Sequence, residues 1–264
     1  DFGFFGHKLF GNIDYYFKET EDILVLPPYL GTIGEGGNRW VNGASMENEG
    51  WEFALTYRDK TEGDFSYEIS ANIATNRNEI TYLPEEVQNN YGGDGGEDNI
   101  LGRPINSMYG YVTDGLFTSE EEVMNSAEQA GKGLGRIRYR DLDGDGVITD
   151  DDRTWIGIPH PDFSYGFNIT LGYKNFDFTS FWQGVGNVDV INNRKFQTDF
   201  WSVDDVGSNK GTRLLNAWSP ENVNSSVPAL TTIDDNAESR FSTYYVENGR
   251  YLKLRNLQVG YSLS

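Results

Sequence analysis

The chain contains no cysteine. That excludes disulfide frameworks, thiolate zinc sites and cysteine nucleophiles, and leaves the compartment open, because many exported proteins avoid thiols. Basic residues are scarce: 21 Lys and Arg stand against 41 Asp and Glu, a net charge of -20. Such a chain repels phosphate, which rules out a basic-patch binder of nucleic acid or of anionic membrane surfaces. Histidine occurs only at His7 and His160; they lie far apart, His7 sharing the odd face of its strand and His160 preceding Pro161 in a loop, and each is read as structural rather than as a base or a metal ligand. No Gly-X-Ser-X-Gly, phosphate-loop or His-Glu-X-X-His pattern is present, and no spacing nominates a glycosidase pair among the many carboxylates. No run approaches the roughly 18 apolar residues of a membrane-crossing helix, but a crossing strand needs only about 9 to 11 residues of alternating character.

What is abundant points to strands. Aromatic residues make up 14% of the chain and glycine contributes 31 residues; aromatics favour pleated surfaces, and glycine favours turns and bulges. From Phe163 to Tyr173 the odd positions read Phe, Tyr, Phe, Ile, Leu, Tyr and the even ones Ser, Gly, Asn, Thr, Gly, a strand with two unlike faces. Residues 65–73, 51–57 and, more loosely, 9–17 repeat the pattern. Residues 257–263 repeat it after a phase slip at Arg255 and Asn256 that predicts a β-bulge. Residues 176–185 alternate poorly, but only Lys174 and Asn175 separate them from the preceding strand, which is hairpin spacing.

These six strands are joined alternately by short connections, 59–64 and 174–175, and by very long ones, 18–45, 77–162 and 186–250. Such long loops are foreign to an ordinary compact domain. Short turns alternating with long loops are the rule in outer-membrane barrels, so the pattern favours an all-β portion of a large antiparallel transmembrane barrel with long extracellular loops. A soluble sandwich would alternate similarly but would connect its strands at shorter intervals. Residues 119–129 predict a helix in the second long loop, opened by Ser119 and Glu122 as a capping box. The chain opens at Asp1 with no initiator Met and no leader-like segment, and reads as a piece of something longer.

One chemical motif is sharp. In residues 141–152, Asp141, Asp143 and Asp145 stand at loop positions 1, 3 and 5, Gly146 at 6, Ile148 at 8, Thr149 at 9 and Asp152 at 12, the spacing of an EF-hand calcium loop. Calcium takes six to eight oxygens, so the three aspartates would ligate by side chain, Val147 by its carbonyl, Thr149 directly or through water, and Asp152 would close the site. No flanking helix pair is evident, so the expected role of the Ca2+ is that of a structural clip in a loop insertion over 114–153. Trp155, Trp201 and Trp218 fall in the long loops, where they could stack on sugar rings or anchor a partner, or else pin the loops together.

Several segments resemble the SusC/RagA family of TonB-dependent outer-membrane transporters of the Bacteroidetes type: GRIRYRDLDGDGVITDDDR (135–153), IGIPHPDFSYGFN (156–168), FWQG (181–184), AWSPEN (217–222) and YVENGRYLKLRNLQVGY (245–261). Upstream, MENEGWE (46–52) and YGYVTDGLF (109–117) look like barrel segments of the same family, so the resemblance covers essentially the whole chain. It implies a late portion of a 22-stranded barrel, incomplete at both ends, with the plug and the parts that reach the TonB complex lying elsewhere. It also implies a protein that makes and breaks no bonds and imports an oligosaccharide, or sometimes a peptide, with a SusD-like lipoprotein over the extracellular mouth. A secreted calcium-stabilised adhesin or carbohydrate-binding module would share the alternation and the Asp-rich loop; it is the alternative reading.

Overall fold

In a computed structural model, residues 1–27, 40–85, 87–88, 92–93, 98–200 and 209–263 are described. In chain order the strands are β1 (Phe2–Phe4), β2 (Leu9–Val25), β3 (Val41–Lys60), β4 (Phe65–Thr75), β5 (Arg77–Tyr82), β6 (Met108–Tyr111), β7 (Thr113–Leu116), β8 (Ile137–Tyr139), β9 (Arg153–Gly157), β10 (Phe163–Tyr173), β11 (Phe176–Gly186), β12 (Asp189–Ile191), β13 (Val246–Asn248) and β14 (Tyr251–Tyr261). Two short helices, α1 (Glu120–Asn125) and α2 (Arg194–Thr198), lie in the long connections.

One antiparallel eight-stranded sheet forms a wall in the order β1-β2-β3-β4-β10-β11-β14, with β5 continuing the line of β4 along β3. All six expected strands are in it, and both short connections are hairpin turns at the same end. β4 and β10 are direct neighbours, although 87 residues lie between Thr75 and Phe163. The long connection must therefore leave the wall and return beside its own start.

Some details differ from the expectation. Residues 77–82, read as the start of the second long loop, form β5 against β3, and β1 adds a strand at the edge. The stretch 18–45, read as a loop, largely extends the ladder: β2 and β3 stay paired up to Val25 and Val41. Above Phe17 both strand faces are polar, as in Lys18, Glu19, Glu21, Glu47 and Glu49, so the period-two signal vanishes although the backbone pairing continues. His7, placed on a strand face by its spacing, sits in the turn between β1 and β2 at a φ of 63°.

The bulge in the last strand is where the phase slip puts it. Phe181 pairs with Asn256 and Trp182 with Leu254, leaving Arg255 unopposed. This extra residue keeps Leu252 and Leu254 on the same face as Leu257, Val259 and Tyr261, because a side-chain period of two would otherwise send them through the sheet.

The described parts of the two long connections, within 83–162 and 187–250, fold together into a lobe at the other end of the wall. β6 pairs with β9, β7 with β8 and β12 with β13, and strands from different connections are joined: Tyr111 N–H donates to the Phe241 carbonyl at 3.0 Å, and Thr243 N–H to the Tyr111 carbonyl at 2.9 Å. Tyr111, Leu116, Ile137, Tyr139, Ile148, Phe200, Trp218 and Tyr245 form its core. A smaller core of Val25, Ala44, Ile80, Leu83, Val87 and Ile100 seats the lobe on the top of β2, β3 and β5.

Candidate functional site

The wall has one apolar and one polar face. Reading across the strand registers, Tyr57, Ile69, Ile169 and Leu257 share a row on the first face with Ser180, and Leu55, Ala71, Phe167, Trp182 and Leu254 share another. Ile69 is 46% and Leu257 59% exposed. A folded protein in water does not leave so broad a contiguous apolar surface bare.

This face is bounded by two aromatic rows. At the short-turn end Phe65, Tyr173, Phe176 and Tyr261 stand side by side across four strands. At the other end Tyr15 pairs with Trp51, their ring centroids 4.9 Å apart, and Phe163 pairs with Thr75. Beyond that second row the same face turns charged, with Glu47, Glu49, Arg77 and Glu79. Along β10 the two rows are ten positions apart; at about 3.4 Å per residue and a tilt near 40°, that spans roughly 26 Å of height, the thickness of the apolar band of a membrane barrel.

The opposite face carries Asn12, Asn72, Glu68, Thr170, Thr179, Gln183, Lys253 and Gln258. Thr56 and Ser70 hydrogen-bond across the β3–β4 pair at 3.0 Å, and Asn168 donates to Thr170 at 3.2 Å. Hydroxyl and amide groups of this kind suit a water-filled interior.

In the lobe, the acidic loop 141–152 is shaped by its own carboxylates. Asp141 accepts from the N–H groups of Gly144 at 2.6 Å and Gly146 at 2.9 Å, Asp143 from Asp145 N–H at 3.0 Å and Asp145 from Val147 N–H at 2.7 Å. Gly144 and Gly146 adopt φ of 79° and 88°, conformations that a residue with a Cβ resists. The carboxylates of Asp141, Asp143 and Asp145 offer oxygens all within 4.8 Å of one another. Asp152 is fully buried, and its two oxygens accept from Leu142 and Thr149 N–H, each at 2.7 Å; each carboxylate oxygen has a second lone pair to offer. A backbone N–H from Asp145 favours the charged form of Asp143, but partial desolvation and the charges of Asp145 and Asp152 outweigh it and leave that carboxyl pKa raised. The donor set therefore fits a hard divalent cation, whose charge would relieve that repulsion.

The loop is fastened to the lobe by its own apolar position. Ile148 is buried in the lobe core and donates its N–H to the Glu128 carbonyl at 2.8 Å, while Glu128 N–H donates to the Gly146 carbonyl at 2.7 Å. α1 starts at Ser119, whose hydroxyl accepts from Glu122 N–H. Glu122 turns back to the N–H and hydroxyl of Thr118, which holds its carboxyl below the usual range. The helix is shorter than the expected 119–129, ending at Asn125.

The tryptophans are placed as pins. Trp155 Nε1 donates to Asp98 at 2.6 Å, and its ring meets Tyr109 and the Arg103 guanidinium. Trp218 lies in the lobe core against Gly135, where a Cβ would stand 2.5 Å from the indole. Of the two readings open for Trp218, contact ring or loop pin, its place in the core favours the pin. Trp201 lies outside the described residues. His160 is structural, its Nε2 3.0 Å from the Ile105 carbonyl. The sequence reading missed the charged cross-links between the two long connections, because partners such as Arg136 and Glu238 are separated by 102 positions and carry no local signal.

No family model matches the chain. Among curated proteins it is 33% identical over 277 aligned residues to TonB-dependent receptor P3 of Formosa agariphila, a match that covers 100% of this chain and 26% of that protein. It is 28% identical to TonB-dependent receptor SusC of Bacteroides thetaiotaomicron, covering 99% of this chain and 25% of that protein. Among solved structures, the RagAB peptide transporter superposes with a TM-score of 0.75 at 25% identity, over 99% of this chain and 27% of that one. The chain thus spans about a quarter of the length of the relatives it matches. The alternation, the loop parity and these matches agree: the chain is part of a β-barrel wall and belongs to the SusC/RagA family of TonB-dependent proteins of the Bacteroidetes outer membrane.

Proposed function

We propose that the whole protein imports an oligosaccharide or an oligopeptide across the outer membrane, driven through TonB, with a SusD-like lipoprotein covering its extracellular mouth. The observation that carries this reading is a membrane wall with a polar interior face, surmounted by a folded lobe, in a chain whose relatives are TonB-dependent receptors. The protein makes and breaks no bonds in this reading; its work is binding and passage. The test is uptake of labelled oligosaccharide and oligopeptide pools by cells with and without the gene, in the presence and absence of an uncoupler. The reading expects one pool to enter only when the gene and the proton-motive force are both present. Uptake of both pools unchanged by gene deletion contradicts it.

A structural Ca2+ held by Asp141, Asp143, Asp145, the Val147 carbonyl, Thr149 and Asp152 is the second proposal, supported by the convergent carboxylates and the glycine-shaped loop. When bound, the ion would neutralise the aspartates and fix the loop against Glu128. Calorimetry on the intact protein should lose one calcium site when Asp141 and Asp145 are both changed to Ala. Equal binding by wild type and variant would leave an acidic turn and nothing more.

A further inference from the structure

The bulge in β14 does more than keep the apolar face in phase. Two residues, Arg255 and Asn256, stand there against the one Phe181. Phe181 belongs to the polar interior face, in a row with Ser70 and Asn168. A bulge re-aims the side chain of its extra residue, here to the side of Phe181 and away from lipid, where a charge at mid-height is costly. One row nearer the lobe, Lys253 opposes Gln183 on the same interior face.

The patch is cationic throughout. Lys253 and Arg255 are exposed, and neither is ion-paired among the described residues. The nearest carboxylates on the interior face of the described wall are Asp177, beside Gly260, and Glu68, three strands away on β4. At about 3.4 Å per residue and about 4.8 Å between strands, each lies roughly 14 Å or more from Asn256. That exceeds the screening length of about 8 Å at physiological salt. In a chain of 21 basic and 41 acidic residues, two adjoining cations without a counter-charge reverse the sign of the surface locally and attract an anion.

Around the cations the lining is neutral. Phe181, 37% exposed, stands between Asn168 on one side and Asn256 on the other, with Gln183 two positions along the same strand. An aromatic face carries the C–H side of a sugar ring, and amides that both donate and accept match its hydroxyls. We propose that this patch binds an acidic oligosaccharide in the lumen, with a sugar ring on Phe181, its carboxylate or sulfate groups on Lys253 and Arg255, and its hydroxyls on Asn168, Gln183 and Asn256. An acidic peptide would pair with the two cations but brings no ring of hydroxyls to the amides. The proposal narrows the import reading, on which it rests, to an anionic glycan.

The test is equilibrium binding to the full-length protein in detergent, with four fluorescent probes of matched length: an oligogalacturonate, a sulfated galactan oligosaccharide, a maltooligosaccharide and an oligoglutamate. Wild type should bind one of the two acidic oligosaccharides about tenfold or more above the neutral one and the peptide, and this binding should weaken as salt is raised. Lys253→Gln and Arg255→Gln should each weaken it about tenfold, the loss of one charge-assisted contact, while the heat-modifiable folded band persists. Lys18→Gln, which removes the same charge from the distant β2, should leave it unchanged. Neutral and acidic oligosaccharides bound alike, tighter binding of oligoglutamate, indifference to salt, or acidic-oligosaccharide binding unchanged in the folded variants overturns the proposal. Binding is read without TonB, so selective binding by a protein that imports nothing sinks the import reading alone. Import of an oligosaccharide by a protein that ignores both acidic probes sinks the patch alone.

Discussion

Arg136 and Glu238 form a bidentate ion pair in the lobe, Nε to Oε1 at 2.8 Å and Nη2 to Oε2 at 2.9 Å, and Glu238 is completely buried. A third contact, Arg136 Nη1 to Asp235 at 2.6 Å, closes the cluster. Nearby, the buried Gln129 donates both to the Ile137 carbonyl at 2.9 Å and to Asn236 at 2.5 Å. The pair joins the connection between β4 and β10 to the one between β11 and β14.

Removing one partner leaves an uncompensated buried charge, worth about 3–5 kcal/mol. Glu238→Ala should therefore raise hydrogen exchange at the Phe117 amide, which donates to the Arg136 carbonyl, and at the Gly135 amide, which donates to the Phe117 carbonyl, while the wall amides stay protected. Replacing both partners with Met and Leu should recover most of the protection.

Tyr165 lies directly opposite Gly184 in the β10–β11 ladder, and a Cβ on Gly184 would stand 2.5 Å from its ring and 2.5 Å from the Tyr251 carbonyl. The ring covers the glycine, and β14 passes close on the other side. Gly184→Val forces both apart at a cost of about 1–3 kcal/mol. The measurement is the fraction of protein that runs as the compact, unboiled form on a gel, which should fall while Thr179→Val, on the polar face of the same strand, leaves it nearly unchanged.

If the acidic loop holds Ca2+, free ion at a hundredfold excess over its dissociation constant adds about 2.7 kcal/mol to lobe stability. A chelator should then increase exchange at Gly146 and Ile148, and added Ca2+ should restore protection. The Asp141→Ala, Asp145→Ala double variant should show no response to either.

Tyr111 hydrogen-bonds to Asp150 at 2.7 Å, and burial, reinforced by that carboxylate, pushes its pKa from an ordinary 10 up to about 12. Burial raises Tyr139, Tyr244 and Tyr245 in the same direction. A phenol whose folded pKa is raised binds its proton more tightly in the native state, so its contribution is complete below pH 10 and is lost as the pH rises through about 12. Phenolate absorbance of the intact protein should show these four tyrosines ionising only as the lobe opens, and Tyr111→Phe should remove part of the alkaline loss of lobe stability.

Much of the wall was legible because membrane and water impose opposite demands on alternate residues; Phe163 to Tyr173 announces its strand without help. The slip at Arg255 was legible for the same reason, since a bulge alone restores the apolar face. Where both faces are wet, as at Glu19 and Glu47, pairing leaves no period in the sequence, and the extended ladder of β2 and β3 went unread. The acidic loop was readable because its geometry is local, fixed by Asp141 and Gly146 five positions apart. The lobe core was not readable: Ile137, Trp218 and Tyr245 meet only because two distant connections fold on each other.

The account turns on which face of the wall meets lipid. The 264 residues hold no cysteine, so with any cysteine elsewhere in the full-length protein replaced, a single cysteine at each position of 65–73 in turn can carry a nitroxide, and its collision rates with oxygen, concentrated in lipid, and with a water-soluble nickel complex can be measured. The account predicts strict antiphase alternation: labels at 67, 69, 71 and 73 collide with oxygen, and those at 66, 68, 70 and 72 with nickel. Labels that favour nickel at both sets of positions, or a pattern without a period of two, would contradict a membrane wall.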